Sequence, residues 1–392
     1  MSCFKLPKGL VRELESLIQK FWWGYCGDSR KVHWVCWEKL CEVKEVGGMG
    51  FKEIEKFNDA LFAKQVWRMI NNPGSLCFRV FKARFFPNCS ILEAKDSIAG
   101  YYAWKSILSA RDVIRKGMVW RIGNGQSMRV KEDKWLPRRD CSSIISPLPT
   151  VLPETRVSSL IDANRRGWKI EVIQEMFLPS EVSVIMGIPL SIRNRKDRVI
   201  WAYTSSGVYS TSSAYKLLST RVSPGSLNQE PQRRFWKAIW ELRVPHKIKH
   251  FVWRACHNTL PTKCNLFWQK HINSEVCELC NEGHKDLLHA VWKCRVVEGV
   301  WSCHSWDQQA VNPPPLTFCD LFDRFLQVTN DFRKEIFAVA AWCLWNRRNA
   351  LHFGRQVQPI ANISSLASKL LQEFLVAQEY EAQPVHMPII QH

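Results

Sequence analysis

Residues 277–294 read CELCNEGHKDLLHAVWKC: Cys277, two residues, Cys280, eight residues, His289, four residues, Cys294. A Cys-x-x-Cys turn places two thiolates on one side of a tight knuckle, the arrangement that tetrahedral zinc accepts. A His and a Cys arriving from the next element complete a Cys3His shell. Such a shell is closed, with no position left for water, so its metal is structural rather than catalytic. Zn2+ is favoured over an iron–sulfur cluster because the set contains a histidine. Glu282, Gly283 and His284 form the turn that lets the chain double back. His284 also lies within reach of Cys280 and stays open as an alternative ligand. His289 is preferred because it shares an apolar stripe with Leu288 and Trp292, whereas His284 sits among polar residues. Positions 289 and 294 are five apart, about 140° around an α-helix, so the helix must end or loosen before Cys294.

Upstream lies a strongly basic stretch. Between residues 233 and 270 the positives are Arg233, Arg234, Lys237, Arg243, Lys247, Lys249, Arg254, Lys263 and Lys270, against the single negative Glu241. Lys247, His250 and Arg254 recur at helical spacing opposite the apolar stripe Ile248, Phe251, Val252, Ala255 and Cys256. The spacing predicts a cationic helix face suited to phosphate contact, with Arg243, Lys249 and Lys263 as further contributors. Trp253 reads as a core residue rather than a stacking platform.

The whole chain carries 55 Lys+Arg against 36 Asp+Glu, a formal net charge of +19, which favours an anionic partner. Its 392 residues are too many for one ordinary core, so several domains are expected. The pattern predicts a mainly α fold with small β-hairpins and a helical zinc-binding subdomain. Residues 1–100 read as helices with core tryptophans Trp22, Trp23, Trp34 and Trp37. Residues 101–218 read as a mixed α/β region with two hairpins. The first is Val119–Ile122 and Ser127–Val130 about the turn Gly123-Asn124-Gly125; the second is Arg198–Tyr203 and Val208–Ser210 about Ser205–Gly207. Residues 219–232 read as a linker, 233–312 as the zinc-binding domain, 316–380 as C-terminal helices and 381–392 as a loose tail. Fifteen cysteines in a chain without a secretory signal favour thiols and a metal site over disulfides. The longest apolar run, Ile336–Trp345, is about half a bilayer span, so no membrane partner is expected.

Several stretches together resemble a known family. Residues 240–262 (WELRVPHKIKHFVWRACHNTLPT), the Cys277/Cys280/His289/Cys294 array and Trp301 are similar to the reverse-transcriptase zinc-binding domain of plant LINE-type, non-long-terminal-repeat retroelements. Phe21–Gly24, Gly47–Phe51, Trp120–Gly125 with Asp133–Pro137, and Ser206–Ser210 look like further family landmarks. Trp342–Phe353 is similar to the helix that precedes the ribonuclease H domain in longer members.

The resemblance implies a retroelement protein that holds its RNA or DNA through backbone contacts, inside the cell and with access to the nucleus. The sequence also departs from the family. It contains no Asp-Asp pair of the kind a polymerase uses to hold two metal ions, and it lacks the scattered carboxylates of a ribonuclease H after residue 353. No phosphate loop or nucleophile elbow is present. The expectation is therefore a fragment that is not an enzyme, takes no small-molecule substrate and lacks both catalytic domains. A structural or protein-interaction module is the alternative.

Overall fold

The computed structural model describes residues 4–24, 32–95, 101–138, 142–147, 155–162, 167–190, 195–219, 230–302, 313–327 and 332–382. It is mostly helical, with two small antiparallel sheets. The linker expected at 219–232 falls mainly, and the tail at 381–392 almost wholly, outside the described residues; helix begins again at Glu230.

The chain forms two compact units. The first comprises residues 1–18 and 52–223, and the second residues 19–51 and 224–392. Helix α1 (Lys8–Trp22) begins in the first unit and ends in the second. A short α2 (Trp37–Cys41) belongs to the second. The first unit continues with α3 (Ile54–Asn71), which ends where Asn72-Pro73-Gly74 breaks the pattern, and α4 (Leu76–Phe85), whose N-cap Ser75 accepts from the Phe78 N–H. Helices α5 (Tyr102–Ser109) and α6 (Arg111–Gly117) follow. Their apolar faces share one core in which Trp104 is fully buried, stacked on Phe85 and Phe86 at centroid distances of 4.9 and 5.5 Å.

The two expected hairpins are corrected by the structure. Strand β1 (Met118–Arg121) does not pair with residues 127–130. Beyond the small β2 (Ile161–Asp162) and β3 (Gly167–Trp168), which pair with each other, and helices α7 (Ile170–Met176) and α8 (Pro179–Met186), comes its partner β4 (Arg198–Trp201). The two run antiparallel, with Met118 opposite Trp201 and Arg121 opposite Arg198. The Gly-Asn-Gly segment wraps a carboxylate instead of turning a hairpin. The N–H groups of Gly123, Gly125 and Ser127 all donate to Asp197, at 2.7, 2.9 and 2.8 Å. Gly125 has φ +72°, and a Cβ there would lie 2.5 Å from the Ser158 nitrogen, so only glycine fits. In the second expected hairpin the tight turn exists, with the Trp201 N–H donating to the Gly207 carbonyl at 2.8 Å. Its return arm forms no strand and leads into α9 (Thr211–Ser219).

The second unit contains α10 (Glu230–Glu241), α11 (His246–Cys256), α12 (Lys263–Trp268), α13 (Glu298–Ser302), α14 (Phe318–Gln327), α15 (Arg333–His352) and α16 (Ile363–Ala382). Residues 19–51 supply part of its core. The Gly47 carbonyl accepts from Trp253 Nε1 and faces His257 Nε2, each at 2.8 Å, and the Trp236 and His257 rings stack at 4.5 Å. Of the four expected core tryptophans, Trp23 and Trp37 are buried, while Trp22 and Trp34 are half-buried.

Candidate metal centre

The knuckle is built by main-chain bonds. Val276 and His284 form an antiparallel bridge, Cys277 N donates to Gly283 O at 3.2 Å, and Asn281 N donates to Cys277 O at 2.9 Å. Asn281 and Gly283 take positive φ values of 54° and 68°, which tighten the turn. The Glu282 N–H then points at the Cys280 sulfur, 3.4 Å away. Asp286 starts the returning helix: its Oδ1 accepts from the His289 N–H at 2.6 Å. That helix loosens as the spacing requires. Residues His289–Lys293 form a π-turn, and Cys294 N donates to His289 O, five residues back, at 3.0 Å. A wider turn brings residue 294 back beneath residue 289, where a regular α-helix would swing it away.

The structure brings Cys277, Cys280, His289 and Cys294 together, with one ligand atom from each inside a mutual distance of 4.8 Å. His289 Nε2 is 3.4 Å from Cys280 Sγ. The three cysteines are buried. Tetrahedral zinc about 2.3 Å from sulfur and 2.0 Å from nitrogen needs donors about 3.5–4 Å apart, so the four atoms close on an ion with small inward shifts. The other candidate, His284, is not brought in: its side chain is 72% exposed and its Nδ1 meets Glu275 Oε1 at 2.6 Å. Burial raises the Cys277 thiol. The N–H groups of Cys280 and Leu279, the Arg348 guanidinium and the His289 ring outweigh it and hold the group at about 6. Burial and its neighbours Cys277 and Cys294 push the Cys280 thiol the other way. One metal-facing residue escaped the sequence reading. Arg348 on α15 is 4% exposed and directs Nη1 at Cys277 Sγ, 3.6 Å away. Fifty-four residues separate it from Cys294, and nothing local in sequence signals the contact.

The basic candidates divide. Arg243 and Lys247 are exposed; their cations lie over the Phe332 and Trp342 rings, at 5.5 and 4.7 Å. The others are engaged within the unit. Lys249 Nζ donates to Trp240 O at 2.8 Å, and burial, then Lys44, lowers its pKa. His250 lies against the Trp22 and Trp240 rings, and burial first, then His246 and Lys44, keeps it neutral to lower pH than usual. Arg254 donates to Thr259 O at 3.1 Å and lies over Trp23. Lys263 pairs with Glu278 at 2.6 Å. The expected uninterrupted cationic face is thus two exposed cations beside a half-buried set, because tryptophans of residues 19–51 cover part of α11. Trp253 is fully buried.

A mainly helical unit carrying a buried Cys3His cluster is suited to zinc, and the comparisons agree. Residues 209–301 match a family model described as zinc-binding in reverse transcriptase. An uncharacterized mitochondrial protein of Arabidopsis thaliana is 42% identical over 137 residues, which are 35% of this chain and 89% of that protein. A putative ribonuclease H protein of the same plant is 27% identical over 310 residues, 77% of this chain. The chain spans 48% of the length of that relative. The chain belongs to this reverse-transcriptase-related family. That membership corrects one expectation. A relative aligned over most of the chain is named as a putative ribonuclease H protein, and against that the sequence reading of a protein that is not an enzyme does not stand. No helix among the described residues is long and apolar enough to cross a membrane.

Proposed function

We propose that this is a LINE-type retroelement protein whose zinc domain holds RNA or DNA by its phosphate backbone. Cys277, Cys280, His289 and Cys294 bind one Zn2+, and the domain corresponds to residues 233–312. The observation that carries the reading is charge placed beside the metal cluster: no Asp or Glu occurs from Leu242 to Ser274, while Arg243, Lys247, Lys249, Arg254, Lys263 and Lys270 do. Arg243 and Lys247 make the phosphate contacts. Lys249, His250, Arg254 and Lys263 sit deeper; the first three brace tryptophans, and the charges of Lys249, Arg254 and Lys263 add to the field that draws in a polyanion. A protein of this kind works inside the cell and reaches the nucleus.

The test is the salt dependence of binding to a labelled oligonucleotide. Affinity should fall steeply, with a log–log slope of about 0.7–0.9 per phosphate neutralised. Lys247→Ala should lower that slope by about one unit, with little sequence preference in what is lost. Binding indifferent to salt would overturn the reading. Capture of a protein after nuclease treatment would favour an interaction module instead.

A further inference from the structure

A buried charge stands against the candidate metal ligands. Arg348 lies on α15, 4% exposed, with Nη1 on Cys277 Sγ at 3.6 Å. Its Nε and Nη2 are buried and have no hydrogen-bond partner among the described residues. A guanidinium does not shed its proton in a protein, so this cation has to be balanced where it stands. A second buried cation lies nearby: Lys285 faces Cys277 and Arg348 and has Glu278, which also pairs with Lys263, at 4.0 Å, but Arg348 is the cation that reaches the ligand sulfur. A Cys3His zinc site supplies the missing negative. Three thiolates around one Zn2+ leave a net charge of −1, and the guanidinium in contact with Cys277 offsets it directly.

We propose that Arg348 is the charge-balancing positioning residue of the zinc site. This rests on the assignment of Cys277, Cys280, His289 and Cys294 as ligands. The guanidinium donates to the Cys277 sulfur, orients it toward the metal and offsets the excess negative charge that burial would otherwise penalise. The functional zinc module therefore extends to α15, 47 residues past the end of the 209–301 stretch that matches the family. A protein cut at residue 301 would retain every ligand and lose its counter-charge.

The test uses the full chain and measures zinc affinity by competition with a chelator, with the cobalt-loaded absorption spectrum as a second readout of thiolate donors. Arg348→Met should weaken zinc by about ten- to a hundred-fold, the usual cost of losing an outer-shell partner. Arg348→Lys, which keeps the charge, should recover most of that loss. The decisive background is Cys294→His. It leaves two thiolates around Zn2+ and a neutral site, so adding Arg348→Met there should change affinity far less than in the wild type. This double variant also serves if Arg348→Met alone does not fold, since it lacks the uncompensated charge and should fold and bind zinc. An Arg348→Met protein that binds zinc like the wild type overturns the proposal while leaving the ligand assignment intact. So does an equal loss in both backgrounds, which would mark Arg348 as packing only. A wild-type chain that takes up no zinc overturns the ligand assignment and this inference together.

Discussion

The core around Trp104 and the knuckle at residues 275–286 hold their shape by different means. The first is carbon packed on carbon: Trp104 stacks between phenylalanines while Ile107, Leu108, Val113 and Ile114 close around it. In the second, the only buried side chains are Cys277, Cys280 and Lys285, two sulfurs and an amine. Burial of hydrocarbon contributes about 25 cal/mol per Å2, and the knuckle has almost none to bury. Its stability has to come from a metal. The comparison teaches that one chain can fold one part by hydrophobic burial and another by coordination, and that the two parts should fail under different stresses.

The largest expected effect follows directly. Chelation, or Cys280→Ser, should release the metal and open residues 275–294 to proteolysis, since zinc contributes about 10–16 kcal/mol in small zinc modules. The Trp104 core should survive, because among the described residues the Cys3His set is the one cluster suited to a metal. Metal analysis and limited proteolysis of the same sample check both halves. Loss of the Trp104 core on chelation would break the contrast.

The converse prediction is smaller. Trp104→Ala should cost about 3–5 kcal/mol of unfolding free energy in denaturant melts, without changing the zinc content.

The smallest effect sharpens the contrast within the second unit. Burial, the leading influence, lowers the His257 pKa below its usual value near 6.5, with the Gly47 carbonyl pulling weakly the other way. The folded state thus prefers the neutral ring. That preference stabilises fully above the unfolded value and is lost as pH falls through the lower folded value. Melts of wild type and His257→Gln, compared between pH 7 and pH 5, should show a shallower acid loss in the variant.

How much of this was legible in the sequence depends on distance along the chain. The knuckle was readable because its ligands lie within 18 consecutive residues, and the loosened helix before Cys294 followed from counting. Trp253 was readable as core because a bulky indole is buried more often than it serves as a stacking platform. The hairpin at 118–130 was misread because Gly-Asn-Gly is a purely local turn signal. Its donors are claimed by Asp197, and the partner of β1 arrives only with Arg198–Trp201. The basic face was read too simply for the same reason: nothing in α11 reveals that Trp22 and Trp23 come to lie on His250 and Arg254. Arg348 lies within the family-like stretch Trp342–Phe353, but nothing there signals a contact with a sulfur 71 residues away.

The interleaving of the two units sets a clock on synthesis. Residues 19–51 leave the ribosome first, yet Trp236, Trp253 and His257, which gather at Gly47, are made only after the 172 residues of 52–223 have been added. At about 5–20 residues per second that is a wait of roughly 9–34 s. Throughout it Trp22, Trp23 and Trp37 have only the rings of their own segment, Phe51 and His33, to pack on, and the cover that α10 and α11 supply is still unmade.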